Sequence, residues 1–187
     1  MISYFDSFNI LSENELNELE NYLTCRTLNK NDFLIKEGRI CNEVAVIKSG
    51  ILRSYCYCYK GTEETNNIYF QGEIAMAYSS MLTQTPSEEN IQALVPTELS
   101  IIRKSDLDKF FASGANWQKI GRLMTEKQYL SLEDHIFNLQ KRTAKERYEK
   151  LLKEQPQYIQ KVPLQYLASY LGMTQRHLSR IRKDINF

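Results

Sequence analysis

The chain has 187 residues, a net charge of +1, 42% hydrophobic residues and 25% charged residues, which is typical of a folded globular protein and excludes bulk disorder. The mean hydropathy is −0.48, and no run of about 18 apolar residues is present, so we expect no membrane-spanning helix. The N-terminus carries neither a basic segment nor a long apolar segment. We therefore expect no secretory signal and a cytoplasmic location.

A short amphipathic helix is predicted near the N-terminus. Ser12 and Glu15 have the spacing of a capping box. Leu16, Leu19 and Leu23 follow at helical spacing, which places them on one face.

Residues 32–103 change to the pattern of a β-sheet protein. Short runs rich in β-branched and aromatic residues alternate with turn signals that contain glycine or proline. Such spacing favours a β-sandwich or jelly roll. The predicted strands lie at residues 33–35, 44–47, 51–59, 68–70, 91–95 and 99–102.

This strand region also contains the closest pair of cysteines. The four cysteines are Cys25, Cys41, Cys56 and Cys58, and in a cytosolic protein we expect them to be reduced. The Cys56-x-Cys58 spacing is not that of a zinc knuckle. We favour half-buried apolar packing for these thiols over a redox or metal role.

Helical periodicity returns after the strands. Residues 105–108 are predicted to open a helix, and residues 116–140 form one long helix. A seven-residue repeat along it predicts a two-stranded dimer seam, and a helix packed on its own domain is the alternative. The residues assigned to the seam are Ile120, Leu123, Leu130 and Phe137.

The small net charge hides a division within the chain. From Lys141 onward there are eleven Lys or Arg and four Asp or Glu, a net charge of +7, whereas residues 1–140 carry −6. A basic end on an acidic body indicates binding to a polyanion. A solvated helix surface that is merely basic is the alternative.

Several short elements are predicted in this basic end. Residues 141–155 form a basic helix that stops at Pro156. We expect a short strand over residues 158–162. Pro163 suits the first position of the next helix.

Residues 164–182 show the pattern of two short helices joined by a tight turn. Ala168 is the small residue where the helices cross, and Gly172 supplies the positive φ that the turn needs. Leu178 and Ile181 are expected to face back onto the first helix. Together these constraints are typical of a helix-turn-helix.

The outer face of the second helix carries hydrogen-bond donors suited to DNA. Arg176 and Arg180 can contact guanine bidentately, and Gln175 can pair with adenine. An ordinary helical hairpin with a solvated polar face is the alternative. The residues predicted to bind DNA are Thr174, Gln175, Arg176, His177, Ser179, Arg180 and Lys183.

These motifs make the chain similar to the Crp/Fnr family of bacterial transcription regulators, particularly its short form. The similarity rests on the glycines of the strand region, on QTPS at 84–87, and above all on LASYLG at 167–172 followed by LSRIR at 178–182. It implies an α+β fold with an N-terminal β jelly roll of the cyclic-nucleotide-binding-like type, flanked by helices. A long dimerisation helix and a C-terminal helix-turn-helix complete the implied architecture.

Two features depart from the pattern of that family. Cyclic-nucleotide binders hold the phosphate and ribose with a Gly-Glu pair and an Arg-Ser or Arg-Thr pair, and here Met76-Ala77 and Ser87-Glu88 stand at those positions. Without the arginine nothing neutralises a buried phosphate, so we expect no binding of cyclic AMP. Five residues follow Arg182, so we expect no downstream β-hairpin wing, and DNA affinity would rest on dimer avidity and the basic helix.

The predicted organisation is a sensor domain at residues 1–115, a dimerisation helix at 116–140 and a DNA-binding domain at 141–187. The predicted function is a homodimeric, sequence-specific transcription regulator that binds near-palindromic double-stranded DNA. We expect an unidentified small-molecule effector and name RNA polymerase as a further candidate partner. We expect no cofactor, no bound metal and no membrane partner.

Two other classes of protein are alternatives to this prediction. A metalloenzyme on a cupin-like barrel needs histidines clustered on strands, whereas His135 and His177 both lie outside the strand region, so we expect no enzymatic activity. The remaining alternative is a small-molecule sensor or interaction module whose helix-turn-helix is vestigial.

Overall fold

The computed structural model describes residues 1–185 and shows two compact units. The first unit comprises Met1–Tyr57 and Asn66–Thr125, and the second comprises Cys58–Thr65 together with the chain from Glu126 onward. The division into three domains that the sequence predicts remains a prediction.

The N-terminal part alternates short helices and strands before a single long helix. Its elements in chain order are α1 (Ile2–Asp6), α2 (Glu13–Glu20), β1 (Thr24–Leu28), β2 (Phe33–Ile35), β3 (Glu43–Ser49), β4 (Leu52–Tyr57), β5 (Glu63–Tyr69), β6 (Ile74–Ala75), α3 (Tyr78–Thr83), β7 (Asn90–Ala93), β8 (Thr97–Arg103), α4 (Lys104–Ser113) and α5 (Ala115–Lys141). The capping box at the start of α2 is confirmed, because the Ser12 and Glu15 side chains each bond to the other residue's backbone N–H. None of the helices within residues 1–185 is long and apolar enough to cross a lipid bilayer.

The strands form two antiparallel sheets, as expected of a sandwich. Within residues 1–185 one sheet has the order β1-β8-β3-β6 and the other β2-β7-β4-β5. Thr24 lies opposite Ile101 in the first sheet, and Leu52 lies opposite Ala93 in the second. Apolar side chains such as Val44 contribute to a buried core, so the α+β class is confirmed.

An aromatic cluster anchors the first part of α5 in the first unit. Trp117 is buried, and its ring centroid lies 5.3 Å from that of Phe5 and 4.7 Å from that of Phe110. Ile120, one turn further along α5, is fully buried in the same core. The assignment of Ile120 to the dimer seam is therefore wrong, because its side chain packs within its own unit.

The second unit is mostly helical. After α5 the chain forms α6 (Ala144–Glu154), α7 (Pro156–Lys161), α8 (Leu164–Tyr170) and α9 (Gln175–Ile185). The strand expected at residues 158–162 is wrong, because Pro156 starts a helix there instead of only ending the previous one. A second capping box, formed by Thr143 and Glu146, opens α6.

The start of α4 also differs from the expectation. The helix begins at Lys104 rather than being capped by Ser105, and its N-cap residue Arg103 makes no side-chain capping bond. An ion pair between the Lys104 Nζ and an Asp108 carboxylate oxygen, 2.5 Å apart, spans this first turn.

Candidate nucleic-acid interface

We call α8 and α9 together the terminal helix pair. A Schellman motif closes the turn between them. The Met173 N–H donates to the Ala168 carbonyl at 3.0 Å, and the Gly172 N–H donates to the Ser169 carbonyl at 2.9 Å. Gly172 has φ +63°, a conformation that disfavours residues with a Cβ. The predicted positive φ at this glycine is confirmed.

Apolar contacts hold the terminal helix pair together. Leu167 and Ala168 of α8 are buried, as are Leu178 and Ile181 of α9. Because the two α9 residues are three positions apart, they lie on one side of the helix and leave the opposite side to solvent.

Thr174 caps the N-terminus of α9. The His177 N–H donates to the Thr174 Oγ1 at 3.2 Å, which satisfies one of the free amides of the first turn. The other free amides and the helix dipole make this end attractive to an anion.

Most of the residues predicted to bind DNA share the outer side of this helix. Ser179 is half-buried, and its hydroxyl donates to the Gln175 carbonyl at 2.9 Å, so this hydroxyl is already engaged within the helix. The exposed members of the predicted set are Thr174, Gln175, Arg176, His177, Arg180 and Lys183.

Three cations form a row along the exposed side of α9. Arg176, Arg180 and Lys183 are spaced by four and three residues, so their side chains lie on the same helical face. Within residues 1–185 none of the three is in an ion pair or a side-chain hydrogen bond. Their donors are therefore available to a ligand.

Arg147 of α6 forms hydrogen bonds with the turn between α8 and α9. Its Nε donates to the Leu171 carbonyl at 2.8 Å, and its Nη1 donates to the Arg142 carbonyl at 2.6 Å. A longer bond of 3.4 Å runs from Nη2 to the Gly172 carbonyl. By sequence Arg147 is one more cation of the basic end, whereas the structure shows it joining α6 to two other backbone segments of the second unit.

The end of α5 packs against α6 and the terminal helix pair. The Lys150 Nζ lies 2.8 Å from an Asp134 carboxylate oxygen, and this bond lowers the pKa of Asp134. The His135 ring centroid lies 5.2 Å from that of Tyr170, which lies 5.4 Å from that of Tyr158. Burial lowers the pKa of His135, and the nearby charge of Asp134 opposes this. These contacts hold the end of α5 against α6 and against α8, the helix on which α9 packs.

Comparisons with known proteins agree with this architecture. Residues 25–113 match the family model described as a cyclic nucleotide-binding domain. FixK2 from Bradyrhizobium japonicum has a similar structure, with a TM-score of 0.78 and 19% identity over 88% of this chain and 84% of that one. A putative Crp/Fnr regulator from Eubacterium rectale gives 0.73 and 20% identity over 98% and 88%.

This chain has the Crp/Fnr fold. The global regulator CLP of Xanthomonas campestris, described as c-di-GMP responsive, has the same fold, with a TM-score of 0.70 and 15% identity over 94% of this chain and 92% of that one. No curated protein matches the chain significantly. The expectation that no β-hairpin wing follows Arg182 stays a prediction, because residues 186–187 lie outside the described residues.

The effector position of the Crp/Fnr fold is built differently here from a cyclic-nucleotide cassette. Ala77, at the position of the family's glutamate, is the N-cap residue of α3. Ser87, at the position of the arginine, is buried, and its hydroxyl donates to the Glu89 carbonyl at 2.8 Å. Glu88 is exposed, whereas the next residue, Glu89, is half-buried.

The Glu89 carboxylate accepts a hydrogen bond from the Ser54 hydroxyl. Burial raises the pKa of Glu89, while hydrogen bonds from Ser54 and Asn66 oppose the rise. Arg53 is also buried, but as the neighbour of Ser54 on β4 it faces the other side of that strand. A phosphate at this position would meet an acidic group rather than an arginine.

The part of α5 that lies in the second unit carries an exposed apolar stripe. Leu130 is 60% exposed and Phe137 is 39% exposed, while Leu123, in the first unit, is half-buried. The Lys141 Nζ lies 3.9 Å from the centroid of the Phe137 ring. Other exposed members of this stripe are Tyr129, Leu132, Ile136 and Leu139.

The four thiols and the two histidines do not form a metal site in the described part of the chain. Within residues 1–185 His, Cys, Asp and Glu side chains do not gather in groups of three that could hold an ion. Cys41 is buried and Cys25 is exposed, while Cys56 and Cys58 are half-buried.

Proposed function

We propose that this protein is a sequence-specific, DNA-binding transcription regulator of the Crp/Fnr type that works as a homodimer. The observation that supports this proposal best is the row of unpaired cations on α9, opposite the side that packs on α8. Such a regulator acts on chromosomal DNA in the cytoplasm.

The terminal helix pair has the form of a helix-turn-helix whose second helix enters the major groove. Arg176 and Arg180 are long, exposed and unpaired, which suits bidentate contacts with the O6 and N7 atoms of guanine. Gln175, in the first turn, suits adenine. Ser179 contributes less than the sequence suggests, because its hydroxyl already bonds within the helix.

Contacts with the phosphate backbone would fix the position of this helix on the duplex. Thr174 and His177 lie in the capped first turn, where the helix dipole favours a phosphate. Lys183 lies further along the same face and suits a phosphate oxygen.

Homodimer formation is supported by the apolar stripe of α5. Leu130 and Phe137 are seven residues apart, the spacing at which two parallel helices meet repeatedly. Burying them against a second copy would remove apolar area from water, which is the main driving force of association. Two reading helices one helical turn of DNA apart would then select a near-palindromic site.

The sensor role is proposed for the first unit, with an effector that is not cyclic AMP. Ser87 stands where cyclic-nucleotide binders have an arginine, and the carboxyl group of Glu89 is partly buried nearby. Both features disfavour binding of a cyclic phosphate. A bound effector would act by shifting the population of the DNA-binding conformation. RNA polymerase remains a proposed partner at the promoter.

The test is a measurement of DNA affinity on a site obtained by selection from random DNA and on a scrambled version of it. Arg180→Ala should reduce the discrimination between the two sites by about five- to 150-fold, because one bidentate base contact contributes about 1–3 kcal/mol. Lys183→Ala should weaken both affinities equally and reduce their salt dependence. Arg39→Ala removes an exposed cation from the first unit and serves as the matched control.

Discrimination that survives Arg180→Ala and Arg176→Ala together would refute base reading by α9. Wild-type protein that binds neither DNA would favour the alternative of a sensor or interaction module with a vestigial helix-turn-helix.

A further inference from the structure

A small apolar pocket lies in the first unit between α3, α4 and the first part of α5. Its volume is about 120 Å³, and neither Ser87 nor Glu89 lines it. It is therefore separate from the residues that replace the cyclic-nucleotide cassette. Its apolar walls include Met76, Met81, Leu107, Phe111 and Met124.

Gly121 leaves part of the α5 surface bare at this pocket. A glycine inside a helix is less favourable than alanine by about 1 kcal/mol, so its presence needs a local explanation. A Cβ at Gly121 would lie 3.4 Å from the Phe111 ring. The missing side chain therefore lets the Phe111 ring pack directly on α5, and both residues line the pocket.

The hydrogen bonds at one edge of the pocket leave an acceptor available. The Thr125 hydroxyl donates to the Gly121 carbonyl at 3.0 Å. In the contact of 2.9 Å between the Tyr78 and Thr125 hydroxyls, Tyr78 is therefore the donor. The Tyr78 oxygen retains its lone pairs for a donor on a ligand.

The size and the lining of the pocket indicate which class of ligand fits it. A dry apolar cavity of about 150 Å³ accommodates benzene, so a pocket slightly smaller but open to solvent suits one ring. Thioether side chains such as Met76, Met81 and Met124 adapt to a flat aromatic surface and interact favourably with it. Leu82 at the pocket is 65% exposed and would be covered by a bound molecule.

We propose that this pocket binds a single-ring aromatic molecule that carries a hydroxyl or amino donor, such as a phenol. The ligand ring packs among the methionines and against Phe111, and the ligand O–H donates to the Tyr78 oxygen. This inference concerns ligand binding by the first unit and does not depend on whether α9 binds DNA.

The experiment titrates the full-length protein with 4-fluorophenol and follows the ligand by fluorine NMR, with fluorobenzene as the ligand that lacks the donor. We expect a Kd of about 0.1–1 mM for the phenol, in line with the efficiency of very small ligands. Tyr78→Phe should weaken phenol binding about three- to tenfold and leave fluorobenzene binding unchanged. Tyr59→Phe changes a tyrosine that is 93% exposed and does not line the pocket, so it is the matched control.

Filling the pocket provides an independent test. Gly121→Leu should abolish binding of both ligands, with folding checked by circular dichroism. If that variant is unfolded, Gly121→Ala adds one methyl group and should weaken both ligands by at least threefold. Failure of 4-fluorophenol to bind the wild-type protein, or equal binding by wild type, Tyr78→Phe and a folded Gly121 variant, would overturn the proposal.

Discussion

Substitution of Arg147 tests how the turn before α9 is stabilised. Replacing it with alanine removes the donors that join the carbonyls of Leu171 and Arg142 through bonds of 2.8 and 2.6 Å. These carbonyls belong to the turn before α9 and to the segment between α5 and α6. The alanine variant leaves both acceptors without this partner.

The expected loss of stability can be worked out from these bonds. A hydrogen bond to a charged group contributes about 1.5–3 kcal/mol. Both bonds are only partly buried, so the lower value applies to each, and the total is about 3 kcal/mol. The third bond, at 3.4 Å and exposed, adds little. A loss of this size is a large part of the stability of a typical domain.

The assay is urea unfolding followed by two signals. Trp117, the only tryptophan of the chain, reports on the first unit through its fluorescence. Far-ultraviolet circular dichroism reports on the helices of both units. Arg147→Ala should lower the free energy of unfolding of the helical signal, with a smaller effect on fluorescence if the units unfold separately.

Two variants control for charge. Arg147→Lys keeps the positive charge but replaces the planar fork of donors with a single ammonium group, so its loss should be intermediate. Arg176→Ala removes an exposed arginine and should change stability by no more than about 0.5 kcal/mol. Equal small effects of Arg147→Ala and Arg176→Ala would show that Arg147 does not stabilise this turn.

Three further predictions concern the second unit. Gly172→Ala should cost about 1–2 kcal/mol in urea unfolding from its φ of +63°, because the 2.8 Å approach of its Cβ to the Leu139 Cδ2 is relieved by a shift of that exposed side chain. Gly61→Ala, at φ +76° with open space around it, should cost the same, and a loss at Gly172 several times larger would show that Leu139 cannot move aside. Leu130→Glu should convert a dimer into a 22.0 kDa monomer, as measured by sedimentation velocity, whereas Lys119→Glu should leave the dimer intact. If the Leu130→Glu variant is still a dimer, the apolar stripe of α5 is not the dimer interface. Burial lowers the pKa of His135 below 6.5, so on acidification the unfolded chain binds the proton first and the free energy of unfolding falls as the pH drops below about 6.5. The charged residues that line the same pocket as His135 are Asp134, Arg147, Lys150 and Glu154. His135→Phe should remove this component of the pH dependence, and an unchanged profile would count against it.

Several features of this protein were predictable because local chemistry fixes them. The Ser12 capping box depends on residues three apart. The turn at Gly172 depends on one residue that tolerates positive φ, and the burial of Leu178 and Ile181 follows from helical spacing. None of these features needs a distant partner, so the sequence pattern alone predicts them.

Other features were missed because their cause lies in packing. β1 has one buried residue out of five, so it lacks the alternation that marks a strand, and its pairing with β8 defines it. The segment at Tyr158 has residues that favour strands, yet it forms α7 behind Pro156. α3 has no side-chain cap, so the sequence contains no start signal for it.

The apolar repeat of α5 shows the limit of the sequence most clearly. Periodicity places Ile120 and Leu130 on a helix, but it does not distinguish the buried side chain from the exposed one, because both are apolar residues on the same element. Likewise, composition identifies Arg147 and Arg180 as cations without assigning one to backbone carbonyls and the other to solvent. The sequence by itself determined the secondary structure around glycine, caps and apolar spacing, since these act over a few residues. Only the tertiary structure decided which side chains are consumed by internal contacts and which stay free to bind, since that depends on segments far apart in the chain.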